Sequence, residues 1–209
     1  MQNELNKVRF SVKPLKSNDN KVVELARTVG IHPLAYQELP YDPEYSFYAG
    51  RLNPEVLSHA TADEMYWKVR QEVIFRHTGE HPYEISGPDA EKLLQKIFTR
   101  DISKVKVGRC SYQFACYNDG GMLTDGVLLK LEENKFWFVQ ADGDLFSWYK
   151  AHTDNLNVKI SDPDVWVSQI QGPKSMDLLK VLSKETFPEN WKYFDWKEIT
   201  ILNLSLIHI

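Results

Sequence analysis

The sequence predicts an α+β fold with antiparallel sheets, built on a duplicated strand–helix unit. Two observations carry this expectation. The first is an internal match. Ile85-Ser86-Gly87-Pro88 followed by Leu93-Leu94 is repeated by Ile170-Gln171-Gly172-Pro173 followed by Leu178-Leu179, with each leucine pair at the same offset from its glycine. Two strand–turn–helix copies at a fixed interval point to duplication; the alternative is chance, because Gly-Pro is a common helix start. The second is a run of alternating segments between residues 112 and 140 separated only by turns, the pattern of an antiparallel meander.

Each element follows from local signals. Residues 1–60 carry prolines at 14, 33, 40, 43 and 54 and are expected to be irregular, apart from a short helical candidate at Lys21 to Thr28. Thr61-Ala62-Asp63-Glu64 is a capping box that starts a helix, and Met65, Val69 and Val73 give it one apolar face. Tyr83 to Ser86 reads as a strand ending at Gly87, with Pro88 at the first helical position. Ala90, Leu93, Leu94, Ile97 and Phe98 follow the i, i+3, i+4, i+7, i+8 spacing of a buried helix. Tyr112, Phe114 and Cys116 alternate with Ser111, Gln113 and Ala115, which indicates a strand. Asn118-Asp119-Gly120-Gly121 is a turn. A strand over about 122–131 turns at Glu132-Glu133-Asn134 into another, Lys135 to Gln140. Leu145, Trp148, Tyr149 and His152 line one face of a helix beginning near Asp144. Strands at 156–160 and 165–171 and a helix from Pro173 to about Leu182 complete the second copy. The chain ends in the apolar run Ile201 to Ile209, an aggregation liability if exposed. A natural terminal strand is one reading of residues 201–209; truncation or a foreign tail is the expectation adopted.

Composition bounds the function. The 209 residues carry a formal net charge of −4 and 43% hydrophobic residues, ordinary for a globular protein. A nucleic-acid binder would need a basic face, which this balance argues against. No run of 18 apolar residues suggests a membrane span, and Met1-Gln2-Asn3-Glu4 is too polar for a signal peptide, so a cytoplasmic location is expected. Cys110 and Cys116, on one strand, would stand about 20 Å apart, beyond the disulfide reach of about 7 Å. They are expected to be free thiols.

The segment richest in chemistry is Tyr112 to Asp125. Glycines at the turn let backbone approach a ligand. Alternation places Asp125 with Leu123 and Val127, on what should be a core face, where a carboxylate is costly without a partner. Asp125 is therefore a functional candidate; the alternative is a solvated strand-end acid. His77 and His81 have metal-binding spacing only on a helix, which Gly79 and Pro82 oppose, so no metal site is expected. Asp142-Gly143-Asp144 reads as a turn into a helix N-cap.

Ser86-Gly87-Pro88-Asp89-Ala90, Val107-Gly108-Arg109, Tyr112, Gly120-Gly121-Met122-Leu123-Thr124-Asp125 and Gln171-Gly172-Pro173 occur in this order. The set resembles the glycine cleavage T-protein (aminomethyltransferase) family and its tetrahydrofolate-dependent demethylase relatives, over about residues 62–200. The resemblance implies a folate-binding domain at 61–200, incomplete, with tetrahydrofolate as cofactor. It implies that Asp125 is catalytic, beside the reactive folate nitrogens, and that Tyr112, Gly121, Met122, Thr124 and Gln140 bind the cofactor. It also implies a one-carbon donor that is either a small molecule or a lipoyl carrier protein. This chain departs from the T-protein pattern at Thr124, Tyr117, Gln140 and Phe75 to Glu80, around the donor entrance. A donor bearing a methyl on oxygen, sulfur or nitrogen is thus expected as readily as an aminomethyl-lipoyl arm. The family's Arg-Thr-Gly-Tyr-Thr-Gly-Glu-like segment does not follow Trp196, so the resemblance implies a truncated chain. The alternative functions are a non-catalytic folate-binding module and an inactive fragment.

Overall fold

The computed structural model describes residues 29–201 and, as a strand, 204–208. The helical candidate at Lys21 to Thr28 lies outside the described residues. The centre is a five-stranded antiparallel sheet in which the predicted meander forms one half. Strands β5 (Cys110–Cys116), β6 (Met122–Glu132) and β7 (Lys135–Gln140) follow one another, then β4 (His81–Ser86) and β8 (Lys159–Ser161), in the order β5-β6-β7-β4-β8. One face of this sheet is packed against helices α2 (Ala90–Ile97) and α3 (Leu145–Ala151). Ile85, Ala115, Leu128, Phe136 and Phe138 from the strands meet Leu93, Leu94, Ile97, Leu145 and Tyr149 from the helices in one core cluster. Each of the Leu, Ile and Phe side chains stabilises the fold by about 1.5–3 kcal/mol on burial, and the spacing of these residues is what made the helices readable.

Helix α1 (Ala62–Gln71) opens with the expected capping box: the Thr61 hydroxyl accepts from the Glu64 amide at 3.2 Å and the Glu64 carboxylate accepts from the Thr61 amide at 2.8 Å. Its apolar face is only half-covered, since Met65 and Val69 are partly exposed. Strands β3 (Ile74–His77) and β9 (Ser168–Gln171) form a separate antiparallel pair, followed by helix α4 (Ser175–Leu182). Cys110 and Cys116 are free thiols at the two ends of β5.

The two Gly-Pro units are built alike down to the backbone. Gly87 has φ +122° and Gly172 +128°. The Ala90 amide bonds the Gly87 carbonyl at 3.0 Å, and the Ser175 amide bonds Gly172 at 3.1 Å. A Cβ on Gly87 would lie 2.7 Å from the Asn157 carbonyl oxygen, and one on Gly172 2.4 Å from that of Glu72. Those same carbonyls accept from Asp89 and Lys174. Shortly after them begin β8 and β3, which pair with β4 and β9. The duplicated unit is thus helix, strand, strand, helix, and each copy lends its first strand to the other.

Three local expectations are corrected. Pro88 and Pro173 sit in the turns before their helices, which begin at Ala90 and Ser175. The strands expected at 156–160 and 165–171 are the shorter β8 and β9. The segment read as irregular contains a hairpin, β1 (Glu44–Tyr48) with β2 (Arg51–Val56), in which Pro54 stands opposite Tyr45. A two-stranded sheet has only edges, where a residue without an N–H is tolerated. The apolar end also pairs, β10 (Lys197–Ile201) with β11 (Leu204–His208). Among the described residues no helix is long and apolar enough to cross a membrane.

Candidate functional site

The sheet face turned away from α2 and α3 holds the site. On β6 the residues facing the core are Thr124, Gly126 and Leu128; Leu123, Asp125 and Val127 lie on the less buried alternation. This reverses the expected facing. Asp125 avoids a buried carboxylate's desolvation cost by standing on the partly open side, opposite Phe114 of β5.

There it meets Tyr112. The Tyr112 hydroxyl donates to Asp125 Oδ2, and that bond to the carboxylate is the main cause of the phenol's raised pKa. A neighbouring anion disfavours phenolate, so Tyr112 stays a proton donor. Register explains the pairing. Tyr112 is opposite Val127 and Phe114 opposite Asp125, so the tyrosine and the acid are diagonal neighbours on one face. Tyr112 and Phe114 pack edge to face at 5.2 Å, and Val127 and Val139 continue the face as partly exposed apolar surface.

The turn leading into β6 is tightly held. The Tyr117 amide bonds the Gly121 carbonyl at 2.8 Å, Gly120 takes φ +87°, and the Gly121 amide donates to Asp119 Oδ1 at 2.9 Å. It presents Gly121 and Met122 at the surface, Met122 63% exposed.

Thr124 and Gln140 go elsewhere. Both are on the buried face, at 5% and 0% exposure. The Thr124 hydroxyl donates to the Asp142 carbonyl at 2.7 Å, and Gln140 Nε2 donates to the Gly143 carbonyl at 2.8 Å. Gly126 lies between them because a Cβ there would be 2.2 Å from the Val139 carbonyl oxygen. These side chains fix the 142–145 loop, whose Asp144 caps α3 through the Ser147 amide as expected.

Tyr48 had no sequence signal, and Glu80 was marked only as the end of the segment that departs from the T-protein pattern. Tyr48, at the end of β1, has its hydroxyl pKa raised by burial and then by the charges of Glu80, Asp142 and Asp125, so it stands within electrostatic reach of the site. It packs on Gly79, where a Cβ would come within 2.8 Å of the tyrosine's own. Glu80 has its pKa raised by burial; one carboxyl oxygen accepts from Gln169 Nε2 at 2.9 Å, and the other is buried without a partner. The Asp142 carboxylate accepts from the Ala49 amide at 2.9 Å, which ties the β1–β2 turn to the site. His77 and His81 diverge: His77 stacks on His32 at 3.7 Å, while His81 Nε2 pairs with Asp162 at 2.7 Å.

Residues 32–209 match the family model described as the GCVT N-terminal domain. The dimethylsulfoniopropionate demethylase of Ruegeria pomeroyi is 31% identical over 165 residues, covering 78% of this chain and 45% of that protein. An aminomethyltransferase of Symbiobacterium thermophilum is 30% identical over 115 residues, 51% of this chain and 30% of its own length. The chain therefore spans less than half of each. The glycine cleavage system aminomethyltransferase T from Bartonella henselae superposes with a TM-score of 0.70 over 80% of this chain and 47% of that one, at 16% identity. That likeness is one of fold.

Proposed function

The chain belongs to the family of GCVT N-terminal domains, and from that premise we propose that it is a tetrahydrofolate-dependent one-carbon transferase. It moves a methyl or aminomethyl group to the folate from a small-molecule donor or a lipoyl carrier protein. The observation that carries this reading is the Tyr112–Asp125 pair on the open face of the meander.

The residues present suit the cofactor. A reduced pterin joins a planar pyrimidine ring to a saturated, puckered one, and both are edged with N–H groups. Asp125 offers an acceptor for such a group, and Phe114, Val127 and Val139 offer apolar surface beside it. When bound, tetrahydrofolate supplies the nitrogens that take up the one-carbon unit. Asp125 orients those nitrogens, stabilises the positive charge that develops there, and can accept the proton released. Tyr112 aims the carboxylate through its hydroxyl and keeps it from turning to water. Gly121 and Met122 line the approach to the ring. Thr124 and Gln140 serve the site at one remove, by fixing the 142–145 loop and with it the β1–β2 turn that carries Tyr48. A methyl-bearing donor is favoured by the name of the demethylase relative and by the departures from the T-protein pattern between residues 75 and 80.

The test is a titration of tetrahydrofolate into the folded full-length protein, followed by tryptophan fluorescence. Saturable binding that a pterin-free p-aminobenzoylglutamate control does not reproduce is the expected result. Absence of binding by a folded protein removes the cofactor and the transferase reading together.

A further inference from the structure

A second concave region lies at the outer edge of β5, the end strand of the sheet. It is a cavity of about 810 Å³ walled by residues 100–106 on one side and by Lys192 and Asp195 on the other. Five cationic side chains converge on it, Arg100, Lys104, Lys106, Arg109 and Lys192, against two carboxylates, Asp101 and Asp195. In a protein whose formal net charge is −4, this is a local reversal of sign.

The two carboxylates are already engaged. Asp101 Oδ2 pairs with Lys104 at 3.2 Å and its other oxygen accepts from Ser103. Asp195 pairs with Arg109 and accepts the Lys192 amide at 2.9 Å, while Arg109 also donates to the Tyr193 carbonyl at 3.0 Å. Those bonds hold the 192–195 wall against β5. Arg100, Lys106 and Lys192 form no ion pair among the described residues and present their charge to the cavity. Its floor is apolar: Val105 and Cys110 are each 7% exposed, and burial pushes the Cys110 thiol up to about 12, so it stays neutral.

Cationic rim and apolar floor together select a ligand class. A bare phosphate would use the rim and waste the floor; carboxylates spaced along an aliphatic chain use both. We propose that this cavity binds an oligocarboxylate, several carboxylates carried on a flexible aliphatic chain. Two sources share that chemistry: a γ-linked glutamyl tail on the folate, or a free polycarboxylate. The cavity reaches Ser111, next to Tyr112 on β5, so the tail assignment rests on the folate reading above. The anion chemistry does not.

Calorimetric titrations at low ionic strength, where exposed charges are least screened, separate these outcomes. The probes are γ-linked tetraglutamate, citrate and inorganic pyrophosphate, run on the wild-type protein and on Arg100→Ala/Lys106→Ala. Both positions are exposed, and neither belongs to the Asp125 site. Saturable binding of tetraglutamate, stronger than that of pyrophosphate and weakened about tenfold in the double variant, is the expected result. Citrate binding as tightly as tetraglutamate supports the cavity and assigns it to a free polycarboxylate. No saturable binding of either carboxylate probe, binding unchanged in the variant, or pyrophosphate binding more tightly than both would overturn the proposal. Parallel titrations of tetrahydrofolate mono- and tetraglutamate keep the two readings apart. If neither folate binds but tetraglutamate alone does, the cofactor reading fails and the cavity stands. If both folates bind equally in wild type and variant, the tail assignment fails and the cofactor reading stands.

Discussion

Binding and chemistry can be separated at Asp125. Asn keeps the shape and one acceptor oxygen but loses the charge, so Asp125→Asn should lower turnover of the full-length enzyme by about 10²–10³ while tetrahydrofolate affinity changes only a few-fold. Equal losses in both, read from steady-state kinetics and a folate titration, would make Asp125 a binding residue alone. Tyr112→Phe removes the donor that holds the carboxylate and should cost about tenfold in kcat with little change in the folate Kd. Asp125 was legible in the sequence as an acid between apolar neighbours, but its facing was not. A period of two says which residues share a face and nothing about which face is inward; here the inward face is the one with Thr124, Gly126 and Leu128. Thr124 and Gln140 were expected at the cofactor from the family resemblance; their side chains lie on the inward face and hold the 142–145 loop. Tyr48 was illegible and Glu80 was marked only as part of a divergent segment, because β1 and the β3–β4 loop reach the site through tertiary packing.

The duplicated units make a matched prediction at the level of the element. Gly87 and Gly172 both hold a positive φ that L side chains rarely adopt, and both face a carbonyl oxygen closer than a Cβ tolerates. Because the obstacle is backbone in each case, it cannot swing aside. Gly87→Ala and Gly172→Ala should each destabilise by about 2 kcal/mol or more, measured by urea unfolding; a neutral change at either would break the structural equivalence of the copies. Helices α2 and α3 were readable because their buried residues recur at helical spacing, and the meander because connections of two and five residues force neighbours to pair. The exchange of β3 and β8 between copies was not readable. Strand pairing between segments so far apart in sequence leaves no local trace, and the Gly-Pro match reports only that two similar units exist. Pro88 stands two residues before its helix rather than at the first helical position, because Gly-Pro marks a helix start without saying how many turn residues precede it.

Across the whole molecule stability should be uneven, and acid should expose the weaker part first. Strands β6, β7 and β4 each have two neighbours and a face on the main core, whereas among the described residues β3 and β9 pair only with each other. Amides of β4, β6 and β7 should exchange with deuterium at least about tenfold more slowly than those of β3 and β9. The β3–β9 pair carries a buried titratable cluster. His32 stacks on His77 at 3.7 Å, its Nδ1 accepts the Leu34 amide at 3.1 Å, and Arg51 is a charged neighbour. Burial first, then the charges of His77 and Arg51, lower the His32 pKa from 6.5 to about 3, and burial lowers His77 as well. The folded state therefore keeps His32 neutral where the unfolded chain binds a proton. Its contribution is complete above pH 6.5 and is lost as pH falls toward 3, at up to about 1.4 kcal/mol per pH unit. Glu38, which faces His77, and Glu80 have pKa values raised by burial; they take up protons in the folded state before the unfolded chain does, and so oppose this trend as pH falls to 4.5 and add nothing below it. Unfolding at pH 7.5 and 5.5 should thus show lower stability at 5.5, with amide protection falling first in β3 and β9. His32→Asn, which keeps an acceptor for the Leu34 amide but cannot be protonated, should flatten the pH dependence even though it lowers stability overall. An unchanged slope in that variant would mean that the acid sensitivity, if found, originates elsewhere than in the stacked histidines.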